Sequence, residues 1–184
     1  MSGLDSLAIT RQVYFLLPTH AFQSDPDRHF QVYQAVADFF EVPFQSIQIV
    51  GSAKTGISLI KQTPFDPLKS DIDIAVVDQS LFMRYSEIAL EISSGLTRRD
   101  VFPSQNGRSV FNDYSRYVSK GMFRPDLMPY CPARGEWLSF FGKLSSVHSD
   151  FCAGMSAAIY ASSKFFEWKQ RVAIEKYLSE SVPK

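Results

Sequence analysis

The chain has 184 residues, 45% of them hydrophobic and 21% charged, with 19 basic and 19 acidic side chains and so a formal net charge of zero. That balance excludes a disordered or low-complexity protein and leaves enough apolar side chain for a sizeable core. It also excludes the general basic footprint of a nucleic-acid coat, while leaving room for a local basic patch. Sixteen phenylalanines predict an aromatic-rich core. Two cysteines, Cys131 and Cys152, are too few for a disulfide framework or a four-ligand metal cluster and read as reduced thiols of a cytoplasmic protein. The segment MSGLDSLAITRQ lacks the basic-then-apolar order of a secretory signal, and no apolar run approaches the roughly 20 residues of a membrane span, so a soluble protein without membrane contact is expected.

In chain order, residues 1–8 read as a loose tail, and Arg11–Leu17 as a short strand or a helix end. Ser24-Asp25-Pro26 is a helix start, with a capping side chain before a proline whose missing amide costs nothing there. The helix should run to Phe40 with Phe30, Tyr33, Val36, Ala37 and Phe40 on its inner face. Residues 46–50 alternate as a strand and run straight into Gly51-Ser52. A short helix or turn over 53–60 and a proline-containing loop over 62–70 lead to the strand Asp71–Val77. Gln79–Ser94 reads as a helix with Leu81, Tyr85, Ile88 and Ile92 inward and Gly95 as its terminating glycine. Residues 97–108 are turn-rich, 109–120 and 134–144 helical, and 120–128 a strand edge or loop. Residues 155–161 fit a strand or the start of the last helix, which spans 163–178.

The chemistry lies between residues 49 and 78. A glycine at the end of a strand lets the chain turn sharply and lets a phosphate approach the backbone. The Ser52 hydroxyl and the amides that open the next turn can donate to phosphate oxygens. Asp71 and Asp73, at i and i+2 of a strand, point the same way and can share a hard divalent cation. Lys54, just past Gly-Ser, could touch the β- or γ-phosphate. Lys69, Arg98, Arg99, Arg124 and Arg134 could form a basic rim, and Phe140, Phe141, Phe165, Phe166 and Trp168 could offer a stacking face for a base.

The residues Val50, Gly51, Ser52, Ser70, Asp71, Ile72, Asp73 and Ile74 resemble the signature of the DNA polymerase beta-like nucleotidyltransferase superfamily, an apolar residue with Gly-Gly or Gly-Ser followed after a spacer by Asp-apolar-Asp-apolar. The resemblance implies a small mixed α/β sheet with packed helices, the core over about residues 24–130 and a mainly helical portion over 131–184 of one domain. It implies transfer of a nucleoside monophosphate from a nucleoside triphosphate to a hydroxyl. Asp71 and Asp73 would hold Mg²⁺ or Mn²⁺, and Gly51, Ser52 and Lys54 would bind the nucleotide. The acceptor stays open between a nucleic-acid end, a protein and a small molecule, and a homodimer or partner protein could complete its site. The sequence departs from the pattern in two ways. Eighteen residues separate Ser52 from Asp71, a longer spacer than minimal members carry, and no apolar-Asp-apolar strand follows to supply a third carboxylate. Asp126 is the first candidate for that third catalytic and metal-binding acid, ahead of Asp113 and Asp100. The alternative is a catalytically silent nucleotide-binding or regulatory module, of the kind found in toxin–antitoxin or phage-defence systems.

Overall fold

A computed structural model describes residues 5–181 as a mixed α/β fold. The sheet has four strands in the order β1 (Ile47–Val50), β2 (Asp71–Val77), β6 (Gly154–Tyr160) and β5 (Met122–Phe123). β1 runs antiparallel to β2, β2 parallel to β6, and β5 antiparallel to β6. A two-stranded ribbon, β3 (Ser104–Gln105) with β4 (Arg108–Ser109), stands apart in the turn-rich stretch. The described helices are α1 (Ser6–Arg11), α2 (Pro26–Phe40), α3 (Gly51–Thr55), α4 (Gln79–Ile92), α5 (Phe111–Val118), α6 (Pro132–Val147) and α7 (Ser163–Ser181). None of them is long and apolar enough to cross a membrane.

The strand period sorts β2 into two faces. Ile72, Ile74 and Val76 enter the larger core together with Ile47, Ile49 and Ile159, where α2, α4 and α6 cover the sheet. Rings dominate that core. Phe40 meets Trp137 edge-to-face at 5.0 Å, and Trp137 meets Tyr85 at 4.9 Å. The opposite face carries Asp71, Asp73, Ala75 and Val77. A smaller core of Tyr14, Ala75, Tyr160, Phe166 and Ile174 seals the Ala75 end of it under α1 and α7. The Asp71 end stays open.

Several expectations change on contact with the fold. The residues beyond Asp5 are not a loose tail. The Asp5 carboxylate accepts from the Leu7 amide at 3.1 Å and starts α1, and the chain stays helical through a widened turn at Gln12–Leu16, so 11–17 is a helix end and not a strand; residues 1–4 lie outside the described residues. In α2 the buried stripe is Val32, Val36, Ala37 and Phe40. Phe30 is instead outside, its ring against Phe44 at 5.8 Å, because the helix is rotated toward the i, i+4, i+8 row beginning at Val32. α4 likewise buries Phe82 and Ala89 in place of Ile92. The sheet does not end at residue 130: β6, from the portion expected to be mainly helical, sits between β2 and β5. Its GMSAAIY sequence buries alternate residues on one side and keeps small ones on the other, which suits a strand pressed between two neighbours.

The expected loop over 62–70 is ordered by its own hydrogen bonds. Phe65 donates its amide to the Gly56 carbonyl, and the Asp66 amide donates to Ser70 Oγ at 3.0 Å. An ordered excursion of this kind adds little closure entropy beyond a shorter one, so the long spacer between Gly-Ser and Asp-x-Asp does not pull the two strands apart.

Phe40 lies at the crossing of the helical layer and is 1% exposed. Phe40→Ala should destabilise the protein by about 3–5 kcal/mol, measured by urea unfolding with an unchanged slope.

Candidate functional site

The antiparallel register puts Val50 opposite Asp73, so the chain leaves β1 beside the carboxylate. Gly51 takes φ +66°, a left-handed conformation that a side chain would strain. A β-carbon built on it would stand 3.2 Å from Asp73 Oδ2. On the other side of β2 the parallel register sets Gly154 opposite Asp71, and a β-carbon there would stand 3.1 Å from Asp71 Oδ1. Each carboxylate is thus flanked by a glycine on a neighbouring strand or turn, which keeps a space open beside both. Ser52 follows directly in the first turn of α3, where amides have no helical partner. The structure brings Gly51, Ser52, Asp71 and Asp73 to one corner of the sheet.

Both aspartates reach solvent, but Asp73 is set deeper among protein atoms. Burial raises its carboxyl above the ordinary value. The Ser156 hydroxyl, which donates to Asp73 Oδ1 at 3.2 Å, lowers it; Asp71 raises it; and the charges of Arg124 and Lys61 lower it. Three of these residues were not singled out as site residues from the sequence. Ser156 and Gly154 lie in a segment that fitted a strand or a helix equally, and only the strand register sets them beside the aspartates. Lys61 directly precedes the ordered loop, its amide donates to Ser58 Oγ at 3.1 Å, and its charge reaches Asp73. The usable signal was the small-residue run Gly-x-Ser-x-Ala at 154–158, which is what a strand crowding two carboxylates requires.

Two expected site residues are placed elsewhere. Lys54 is 7% exposed, and its Nζ donates to the Leu17 carbonyl at 2.7 Å, pinning the segment after α1. α3 is a single turn, and three residues past Gly51 that turn has carried the side chain away from the carboxylates. Asp126 accepts from Arg124 Nε at 3.0 Å and from Nη2 at 2.8 Å, a bidentate pair that occupies both of its oxygens. Among the described residues no three acids, histidines or cysteines gather as a metal-holding group, so Asp126 does not complete a three-carboxylate cage.

Of the suggested basic rim, only Arg124 acts on Asp73. Lys69 is paired with Asp66 and Arg98 with Asp100, Arg99 lies over the Phe111 ring, and Arg134 donates to the Pro125 carbonyl. The suggested stacking cluster also divides. Phe141 and Phe166 are buried and Phe140 stacks on Phe39 at 4.1 Å, whereas Phe165 and Trp168 face solvent.

Comparison with protein-family models, with curated proteins and with solved structures returns no significant match. The function therefore has to be argued from the corner itself. Two carboxylates on one strand face suit Mg²⁺, which commonly takes one or two protein carboxylates and completes its shell with waters and substrate phosphate oxygens. The clearance left by Gly51 and Gly154 fits that arrangement, because an added methyl at either position would enter the space beside a carboxylate oxygen.

Gly51→Ala should cost about 1–2 kcal/mol through its left-handed backbone alone and should also weaken divalent-cation binding. Gly154→Ala carries no such backbone penalty and should weaken cation binding with a smaller loss of stability. Parallel urea melts and Mn²⁺ titrations of the two variants check the contrast.

The direction of the Asp73 shift fixes a pH signature. A carboxyl whose value in the fold is above its unfolded value favours the folded state fully below the unfolded value, about pH 4, and loses that contribution as pH rises through the folded value. Asp73→Asn should therefore melt higher than the parent at pH 7 without divalent cations, and the gain should vanish toward about pH 3. Melting curves across that range check it.

Proposed function

We propose that this protein is a Mg²⁺-dependent nucleotidyltransferase. It would move a nucleoside monophosphate from a nucleoside triphosphate to an acceptor hydroxyl and release pyrophosphate. The observation that supports this reading best is the seating of Gly51 against Asp73. Phosphate-cradling backbone and metal-ligating carboxylates then share one corner, although the chain between them makes an 18-residue excursion.

In this reading Asp71 and Asp73 hold the ion, or Mn²⁺ in its place. When bound, it supplies charge neutralisation to the triphosphate and to the leaving pyrophosphate. Gly51 and Ser52 orient the phosphate chain through backbone amides and the serine hydroxyl. The Ser156 hydroxyl fixes the Asp73 carboxylate by its hydrogen bond, so the ligand does not have to reorganise when the nucleotide arrives. Arg124, held by Asp126 and lying 5.1 Å over the Tyr117 ring, keeps a fixed positive charge near the pair and offsets their mutual repulsion. Lys61 adds a second charge from the loop side.

A second reading, nucleotide binding without transfer, is favoured by one specific observation. The residue beside Asp73 on β6 is Ser156, so that strand brings no third carboxylate to take the hydroxyl proton.

The test is incubation with each labelled nucleoside triphosphate and Mg²⁺ or Mn²⁺, following pyrophosphate release and self-labelling, with calorimetry in the presence and absence of EDTA. Nucleotide binding should require the divalent cation. Asp73→Asn should reduce transfer on the order of 10²-fold or more while the protein stays folded. Equal nucleotide affinity in EDTA would remove Asp71 and Asp73 from the role of metal ligands. Metal-dependent binding without transfer by the parent protein would select the second reading.

A further inference from the structure

The last helix buries one stripe of side chains in the fold and leaves a second, apolar stripe outside. Phe166, Gln170 and Ile174 of α7 are buried against the sheet. Phe165, Trp168 and Val172 lie one to two positions ahead of these and are 43%, 66% and 52% exposed. The second stripe forms one wall of an open groove of about 650 Å³ between α7, the end of α5 and β5. This is the size range of small-ligand sites, about 300–1,000 Å³.

Three rings, Tyr117, Phe165 and Trp168, face the groove, and three lysines, Lys120, Lys164 and Lys169, stand among them. Among the described residues no aspartate or glutamate lines the groove. None of the three lysines makes an ion pair among the described residues, whereas Arg116 at the groove's edge is already paired with Asp113. In a chain of zero formal net charge this is a local excess of positive charge. Phe165 is held in place: its ring fills the space beside Gly121 that a β-carbon would otherwise enter. Trp168, 66% exposed, forms the outer wall with the Arg171 guanidinium 5.8 Å from its ring centre, a further cation beside the stacking surface.

We propose that this groove binds single-stranded nucleic acid. Its bases would stack on Trp168 and Phe165, and its phosphates would be met by Lys120, Lys164 and Lys169. Flat rings interleaved with unpaired cations match the alternation of base and phosphate along an unpaired strand, whose bases are free to stack as those of a duplex are not. The concave shape favours an inserted base over a flat lipid surface. One chain of interactions links the groove to the carboxylate corner. Tyr117 lines the groove on one side and carries Arg124 on its ring, and the charge of Arg124 reaches Asp73. A strand held here would lead toward that corner, although the binding itself goes beyond the transfer reading and does not depend on it.

The test is fluorescence anisotropy with labelled single-stranded RNA and DNA of about a dozen nucleotides, the matching duplex, and phosphatidylserine vesicles read by co-sedimentation. Both single strands should bind better than the duplex. Affinity should fall roughly 20-fold between about 50 and 200 mM salt, as expected for about three phosphate contacts. Binding should quench the fluorescence of the exposed Trp168. Trp168→Ala should weaken binding about 10-fold or more, and the combined variant K120E/K164E/K169E should abolish it, with melting temperatures near the parent's because all four side chains are on the surface. Asp73→Asn should bind strands as the parent does, which separates this proposal from the transferase reading. No strand binding at low salt, undiminished binding by the lysine variant, a preference for duplex, or binding to vesicles in place of strands would each overturn it.

Discussion

The pairing of β1 with β2 is the constraint on which the candidate site depends. It is antiparallel, so the end of β1 lies beside the beginning of β2, and the register sets Val50 opposite Asp73. A one-residue slip would turn Asp73 into the aromatic core and Ile72 and Ile74 into solvent. The burial of Ile47, Ile49, Ile72, Ile74 and Val76 therefore holds the carboxylates in place. The same apolar contacts that stabilise the sheet aim Asp71 and Asp73 outward and bring Gly51 against one of them. Stability and site geometry here come from one set of interactions, and core residues far from the corner control it only through this register.

The other face of the sheet is covered unevenly. α1 and α7 close over Ala75, Val77 and Tyr160 and leave the Asp71 end open. Ion pairs at the surface, Arg11 with Glu167 and Arg171 with Glu175, accompany this packing without explaining it, since exposed pairs contribute little. The buried rings do more. Tyr14, Phe166 and Tyr160 meet edge-to-face at 5.4–5.6 Å and fix how far α7 advances over the sheet. That placement leaves room for the carboxylate corner at one end of the layer and the cationic aromatic groove at its β5 edge.

Local sequence carried much of this. DIDIAVV specified a strand with acids on one side because its first four residues alternate strictly, and Asp25-Pro26 specified the start of α2 because capping is decided within one turn. The inward face of α2 was legible at Val36, Ala37 and Phe40, and it failed at Phe30 in place of Val32, because both are apolar and only the tertiary partner Phe44 separates them. β6 was ambiguous because a strand flanked on both sides lacks strong alternation. With β6 undecided, Gly154 and Ser156 could not be placed, since they reach the site through pairing with residues more than 80 positions away. Lys54 failed for a more local reason. Proximity to Gly-Ser in sequence suggested proximity to phosphate, but a single helical turn reversed its direction, and the buried ammonium found the Leu17 carbonyl instead.

Ser156 shows how the corner balances charge. A third carboxylate at that register would stand beside Asp73, whose carboxyl is already raised by burial and by Asp71. Three acids there would repel one another and favour protonation unless more positive charge were supplied. The serine instead donates one hydrogen bond to the carboxylate, which stabilises its ionised form without adding charge. Arg124 and Lys61 then oppose only two acids, and Arg124 is itself partly neutralised by Asp126. The Asp126 carboxylate thus belongs to the cation that tempers the pair, and its influence on Asp71 and Asp73 passes through Arg124. Counted with Asp126, three carboxylates against one fixed guanidinium and a loop lysine leave the corner with a single formal negative charge before any ligand arrives. A divalent cation adds positive charge to such a corner, and that excess is what a triphosphate requires.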